Sequence, residues 1–377
     1  MEKERSKTKV IIGLSGGVDS AVGLINLKEA GYDVEAVYMR NWDSTTNNDF
    51  LGNPTVNDDV CPQEKDYQDA LAVANKLGVK LHRIDFIEEY WNYVFSYFLN
   101  EYKNFRTPNP DVLCNKEIKF KAFLKYAETL GADYIAMGHY ARVVHGEKHL
   151  LLRGLDSNKD QTYFLCGLSK EQISHALFPI GDMQKPDVRK KALEYGLDVA
   201  TKKDSTGVCF IGERNFKEFL KNYLPANPGD IEDIDGNVVG RHEGIMYYTI
   251  GQRKGLAIGG PGEAWFVCGK DAARNVLIVA QGDKQELLYG NRVIVKEMNF
   301  INGTPDLAKV YQAKFRYRQA DNDVTIKMID ENTIEVNCLA PVKAITPGQF
   351  CVLYDNEVCL GGGIIDEVFM DNIKRRY

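Results

Sequence analysis

Along the first two hundred residues, short and mostly apolar runs alternate with segments whose apolar positions recur every three or four residues. The runs lie at 9–14, 34–38, 80–85 and 134–137. Runs of this length, without a polar face, predict strands of a parallel sheet covered on both sides. The segments 20–30, 63–77, 87–103, 115–130 and 186–195 carry the helical period. Strand–helix alternation of this kind predicts an α/β domain. Between them, 44–60 is rich in Asn, Thr, Asp, Gly and Pro and has no period. It reads as a mobile loop near the carboxyl ends of the strands, where α/β sheets place their sites.

The pattern changes after Gly207. Pro225, Pro228 and a series of glycines from Gly229 to Gly262 cut the chain into short pieces, which predicts a small, turn-rich domain. From 291 onward six β-branched runs follow one another, at 292–296, 311–317, 323–328, 333–338, 349–354 and 358–365. They predict a small antiparallel barrel. The expected partition is 1–208, 209–290 and 291–377.

Composition adds limits. A chain of 377 residues, 44% hydrophobic and 27% charged, can build two or three cores. It has no apolar run of 18 residues, so no membrane helix is expected. The start, Met1-Glu-Lys-Glu-Arg-Ser-Lys7, is not a signal region, and a cytoplasmic location is expected. None of the eight cysteines forms a C-x-x-C pair, which argues against a zinc ribbon or a thioredoxin-type site. In a reducing compartment most are small core residues. The net charge of −6 argues against nucleic-acid binding over the whole surface. Yet 103–125 holds six Lys/Arg against two acids, and 185–221 nine against six. Such local basic patches would give a nucleic-acid affinity that falls as salt rises.

Three segments carry candidate chemistry. The first is Val10-Ile-Ile-Gly13-Leu14-Ser15-Gly16-Gly17-Val18-Asp19-Ser20. It reads as strand, glycine turn and helix, an anion cradle. Gly16 and Gly17 would take positive φ and let the backbone approach a phosphate. The helix start would offer free N–H groups. The loop is neither a Walker A sequence nor G-x-G-x-x-G. Asp19 would repel the anion unless a cation bridges them, which suggests Mg²⁺. The plainer alternative is a glycine turn that only begins a helix.

The second segment is Arg106-Thr-Pro-Asn109-Pro110-Asp111-Val-Leu-Cys114-Asn-Lys116. Two prolines stiffen a loop, and a helix starts near Cys114. A thiol there, beside Lys116, should ionise easily, and Asp111 could move a proton. The alternative is an Asx turn capping the helix, with a structural cysteine. In the third, Lys202 to Arg214, Cys209 sits among cations in a glycine-flanked turn, a setting that favours thiolate. The alternative is a loop cysteine packed with Phe210 and Ile211.

Ser15-Gly-Gly-Val-Asp-Ser20 resembles the PP-loop of the ATP pyrophosphatases. Six further motifs follow in order. They are 109–115 (Asn-Pro-Asp-Val-Leu-Cys-Asn), 138–142 (Gly-His-Tyr-Ala-Arg), 159–161 (Lys-Asp-Gln), 204–212 (Asp-Ser-Thr-Gly-Val-Cys-Phe-Ile-Gly), 315–319 (Phe-Arg-Tyr-Arg-Gln) and 346–349 (Thr-Pro-Gly-Gln). Together they resemble the tRNA-specific 2-thiouridylases over nearly the whole chain. The resemblance implies an α/β PP-loop domain with a parallel sheet, a small central domain and a C-terminal antiparallel β-barrel. It implies an enzyme that uses ATP and Mg²⁺ to convert the wobble uridine of tRNA to 2-thiouridine. The uracil C2 oxygen is adenylated with release of pyrophosphate, and sulfur then displaces AMP.

By the same resemblance the sulfur arrives as a persulfide on Cys209. Cys114 then attacks it and frees sulfide, or resolves it after a direct attack on C2. Asp111 transfers the proton. Either route needs the two cysteines within disulfide reach, about 4.4–6.8 Å between Cα atoms. They lie 95 positions apart (209 − 114), so a loop must fold over the site. Gly13, Leu14, Ser15, Gly16, Gly17, Val18, Asp19, Ser20, Met39 and Gly138 match ATP contacts. Asn109, Pro110 and Asp111 match contacts to the target base, which must leave its stack. His139, Lys159, Asp160, Gln161, Arg316, Tyr317 and Gln349 match tRNA contacts.

The residues themselves place Arg316 and Arg318 on one face of a strand and Tyr317 on the other. The partners implied are tRNA and a sulfur-donor protein, such as a cysteine desulfurase or a relay carrier. No membrane is involved, and a monomer is expected. No resident metal is expected, because an iron–sulfur cluster on Asp111, Cys114 and Cys209 would lack C-x-x-C spacing. The rival readings are a nitrogen-transferring pyrophosphatase, a nucleotide-gated tRNA-binding module and a simple dithiol switch.

Overall fold

Val10, Ile11 and Ile12 are wholly buried, as a strand covered on both faces requires. They form the middle of a parallel sheet in the computed structural model, which describes residues 4–376 apart from 205, 206, 208 and 210. The sheet uses β1 (Lys9–Gly13), β2 (Asp33–Arg40), β3 (Leu81–Asp85) and β4 (Tyr134–Ala136). A hairpin of β5 (Ala141–Val144) and β6 (Leu150–Arg153) leaves it, and β7 (Ala176–Leu177) rejoins it. The order is β3-β2-β1-β4-β7, with every neighbouring pair parallel. Successive crossovers run outward from β1 on one side and resume at β4 on the other. The crevice between β1 and β4 is therefore a switch point, open at the strands' carboxyl ends. His82 and Arg83 interrupt the apolar run of β3 because β3 is the edge strand and only half covered.

The two long helices expected at 87–103 and 115–130 are not uniform. Each contains a π-helical stretch, Trp91–Phe95 and Cys114–Ala122, between α-helical turns. The polar segment 44–60, expected to be mobile, is pinned. Asp49 is fully buried and pairs with Arg214 at 2.7 Å. The Asn222 amide accepts from Leu51 N–H at 2.9 Å and donates to its carbonyl at 3.0 Å. The Asn and Asp residues that suppress a helical period are here used to close turns.

The second sheet uses β8 (Gly229–Asp233), β9 (Val238–His242), β10 (Phe266–Asp271) and β11 (Val276–Ala280), in the order β10-β11-β8-β9. The third uses β12 (Tyr289–Phe300), β13 (Tyr311–Lys314), β14 (Asn322–Met328), β15 (Ile334–Lys343), β16 (Phe350–Asp355) and β17 (Val358–Met370). Pairing of β12 with β17 closes these six into a barrel. The run expected at 311–317 stops at Lys314, because the Phe315 N–H turns to the Gln319 side chain at 2.9 Å. Residues 315–318 form a bend and turn, so Arg316 and Arg318 do not share a strand face.

The β5–β6 hairpin, which the sequence pattern did not reveal, extends the barrel sheet. Leu152 and Leu151 pair with Val358 and Cys359 of β17. Of three apolar clusters, one lies between the parallel sheet and the helix 18–29, and one fills the barrel. The largest runs through all three regions, from Ile11 and Phe120 to Ile231 and Leu277 and on to Phe350 and Ile364. Among the described residues, no helix is long and apolar enough to cross a membrane.

Candidate active site

The loop after β1 has the geometry of an anion cradle, with local differences from expectation. Gly16 has φ +73°, and a Cβ there would lie 2.2 Å from the Asp66 carbonyl oxygen. The residue must be glycine on both counts. Gly17 instead has φ −102° and caps the helix Val18–Glu29 in an extended conformation. A Cβ on Gly138 would lie 2.8 Å from Ser20 N, so glycine there keeps the turn after β4 against the helix start. Gly13 packs beneath Met137 and Met39. The Ser20 hydroxyl accepts from Ser15 N–H at 3.2 Å and donates to the Gly17 carbonyl at 3.1 Å, which sets the loop's curvature.

Asp19 has a counter-charge within the chain itself. Lys185 Nζ sits 2.8 Å from both of its carboxylate oxygens, and the Tyr140 hydroxyl donates to it at 2.8 Å. Among the described residues, no group of three or more metal-ligating side chains is assembled. The same Lys185 reaches Asp204 at 2.9 Å, as do Lys159 at 2.8 Å and Arg189 at 2.6 Å. Burial alone would raise the Asp204 carboxyl, but hydrogen bonds from Lys159 and Lys185 hold it down at about 2. Lys202 pairs with Asp66 and Asp69 and donates to the Gly16 carbonyl at 3.1 Å. The segment that carries Cys209 is thus tied at its start to the PP-loop.

Cys114 and Cys209 meet. Their sulfurs are 3.4 Å apart, with Cys114 donating, and both are free thiols. The short α-turn Pro110–Leu113 begins at Asn109, whose side chain accepts from Asp111 N–H at 3.2 Å. Asp111 in turn accepts the Cys209 N–H at 3.1 Å. The buried Tyr90 hydroxyl holds the Cys209 carbonyl at 2.8 Å. Of the residues around Cys209, Ile211 is buried, while Ser205, Thr206, Val208 and Phe210 lie outside the described residues.

The two thiols are driven in opposite directions. Burial pushes the Cys114 thiol up, which reverses the easy ionisation expected of it. Lys116, the cation expected beside it, is exposed. The hydrogen bond from Cys114 pulls the Cys209 thiol down against burial, and Lys119 adds to the pull. Burial raises the Asp111 carboxyl, opposed by the Cys209 N–H and Lys119. Burial and then Lys119 press the imidazole of His139 well below its usual range. It lies between Phe120 and Phe178, with Nδ1 unpartnered.

The other residues matched to tRNA make internal contacts. Asp160 is buried and accepts from Gly154 N–H at 3.1 Å and from the Thr162 hydroxyl at 2.8 Å. Gln161 accepts from Tyr140 N–H. Arg316 donates to the Ile250 carbonyl and the Thr346 hydroxyl, both at 2.6 Å. Tyr317 lies 4.3 Å from Phe164, centroid to centroid. Gln349 donates to the Thr107 and Pro108 carbonyls at 2.8 and 3.1 Å. Sequence reasoning missed Lys119, Lys185 and Arg189 as individuals. All three lie in the two locally basic stretches, which was the available signal.

Comparison with known proteins places this site in a family. The family model described as the tRNA methyl transferase HUP domain matches residues 8–213. The tRNA methyl transferase PRC-barrel domain matches 217–281, and the aminomethyltransferase β-barrel domain 291–365. A protein of Acholeplasma laidlawii named tRNA-specific 2-thiouridylase MnmA is 57% identical over 98% of this chain and 100% of its own length. The chain belongs to the tRNA-specific 2-thiouridylase family. Proteins of the same name from Bacillus cytotoxicus and Bacillus mycoides are 54% and 53% identical. They match over 98% and 100% of this chain and 97% and 100% of their own lengths. A solved 4-thiouridine synthetase–RNA complex with bound ATP aligns at a TM-score of 0.34 and 18% identity, over 55% of this chain and 46% of that one. That likeness carries no argument.

Proposed function

We propose that this protein is an ATP-dependent sulfurtransferase that thiolates C2 of the wobble uridine of tRNA. The observation that carries the reading is the pair of facing sulfurs, 3.4 Å apart, on a segment tethered to the PP-loop. The full-length relatives' name agrees with it. The methyl-transfer wording of the domain models gives the thiol pair no task.

A uracil C2 carbonyl resists substitution because its oxygen leaves poorly. ATP supplies the activation. The C2 oxygen attacks the α-phosphorus, the bond to the β-phosphate breaks, and pyrophosphate leaves. The segment 13–20 with Met39 and Gly138 holds the nucleotide, its polyphosphate at the helix start. Mg²⁺ would be held by the nucleotide's phosphates with the Asp19 carboxylate, whose oxygens Lys185 and Tyr140 otherwise contact, and would supply charge neutralisation there. Asn109, Pro110 and Asp111 receive the flipped base.

Cys209 carries the persulfide, and its terminal sulfur replaces AMP at C2. It does so as hydrosulfide expelled when Cys114 attacks the Cys209 sulfur, or directly, with Cys114 closing afterwards. Both routes end in a Cys114–Cys209 disulfide, which an external thiol must reduce. Asp111 takes the proton released when Cys114 attacks. His139 and Lys159–Gln161 are assigned to tRNA contact with Arg316, Tyr317 and Gln349. Every group comes from one chain, as a monomer requires.

The test supplies ATP, Mg²⁺, a cysteine desulfurase with cysteine, and unmodified tRNA. We expect a 2-thiouridine product, lost at least a hundredfold in Cys114→Ser and in Cys209→Ser while pyrophosphate release continues. Full thiolation by either variant refutes the reading. Pyrophosphate with no thionucleoside would favour nitrogen transfer, and tRNA binding without pyrophosphate a nucleotide-gated binding module.

A further inference from the structure

Lys119 is five residues beyond Cys114. On an α-helix it would lie roughly 140° around the axis from Cys114, and Ile118 would stack above the thiol instead. Residues 114–122 are not α-helical. They wind as a π-helix, and the next N–H, that of Phe123, returns to the Ile118 carbonyl five residues back. With i→i+5 bonding the turn is wider, and residue 119 swings round toward the face of residue 114. Such turns recur at functional sites because they are less stable than α-helix and must be kept for a reason. Here the kept consequence is that a lysine reaches the sulfur pair.

The Lys119 ammonium acts on the Cys209 sulfur, and its charge favours the thiolate there. The other titratable groups acting on these two are Cys114 and Asp111 from the same helical segment, His139 from the turn after β4, and Tyr90. His139 is neutral, so Lys119 is the cation that these groups share. Burial would lower its ammonium, but the two sulfurs and Asp111 outweigh burial and raise it.

We propose that Lys119 is a catalytic residue of the sulfur-accepting step, holding the Cys209 sulfur as the thiolate that attacks the incoming persulfide, and that the π-helical turn serves to place it there. The step balances as Cys209–S⁻ + R–S–SH → Cys209–S–SH + R–S⁻. A bond forms from the Cys209 sulfur to the terminal sulfur. The donor's sulfur–sulfur bond breaks, and its electron pair leaves on the donor thiolate. The donor is a persulfide of a protein or a small thiol. Cys114 is the poorer acceptor because it is fully buried and its proton lies toward Cys209. It is kept protonated for the second step.

The proposal rests on the thiolation reading, but its test needs neither tRNA nor ATP. In a Cys114→Ser background, the alkylation rate of Cys209 by iodoacetamide is followed against pH by mass spectrometry of its peptide. The inflection should lie below the ~8.5 of a free thiol. Lys119→Met should move it up by about one unit, slowing alkylation near neutrality about tenfold, and Lys119→Arg should restore it. Loading from cysteine persulfide should follow the same order. Lys119→Gln with an unchanged thermal midpoint guards against misfolding. An unmoved inflection in both neutral variants overturns the proposal, as does failure of folded Lys119→Arg to restore it. Failure of the thiolation assay with a normal inflection shift would fault the functional reading alone.

Discussion

Asp204 collects Lys159, Lys185 and Arg189 on one carboxylate, and that makes its protonation a stability matter. Its folded carboxyl, at about 2, lies below the ordinary ~3.9. The stabilisation is therefore full above the unfolded value and lost as pH falls from there to about 2. Discounted for its partial exposure, it is worth about 1 kcal/mol. Denaturation of Asp204→Asn against the parent should show a gap that is constant above about pH 5 and closes near pH 2. A gap independent of pH would mean that the charge is not what holds this segment. At this scale the sequence singled out the residues that meet, since Cys114, Cys209 and Asp111 do converge. It misplaced the cations. Which lysine reaches a thiol depends on helix winding, and Lys185 reaches Asp19 from 166 positions away. Neither is a property of a local motif.

Between Phe105 and Pro110 the chain that leads to the thiols is held by Glu101 of its own domain, which pairs with Arg106 at 2.7 Å, and by contacts from the other two regions. Arg106 pairs with Asp366 at 2.7 Å, and Thr107 N–H donates to the Pro347 carbonyl at 3.0 Å. The buried Lys270, whose ammonium burial lowers to about 7, donates to the Phe105 carbonyl at 2.7 Å. Gly348 has φ +91°, and a Cβ there would lie 2.9 Å from the Thr107 carbonyl oxygen. Gly348→Ala should therefore cost about 1–3 kcal/mol and slow oxidation of the Cys114–Cys209 pair by displacing Asp111. Gly303 is a fair control, with φ +85° and open space around its Cβ position. Its alanine variant should cost only about 1 kcal/mol and leave oxidation unchanged. Equal effects in the two variants would show that the barrel does not position the loop. The strands and helices of the first domain were legible because burial imposes their period. The π-helical stretches and the β5–β6 hairpin were not, because the former keep a helix-like apolar spacing and the latter takes its partner from a distant strand.

The same dependence acts across the whole chain. Chains of this size usually unfold domain by domain, and three sequence regimes suggest three independent units. The packing opposes that. One apolar cluster passes through all three regions, β6 of the first extends the barrel sheet, and Lys270 of the second holds a carbonyl of the first. Unfolding the barrel alone would expose Leu151, which is fully buried, and leave the edge of β6 unpaired. Separate melting therefore costs more than the barrel's own interior. Calorimetry should give one transition. Leu151→Ala, which empties a buried site at a cost of about 2–5 kcal/mol, should lower the whole transition without splitting it. A low-temperature shoulder in the parent, or a variant whose first domain melts at the original midpoint, would show that the regions are independent. The barrel could then position the loop before Cys114 only while both are folded by chance together.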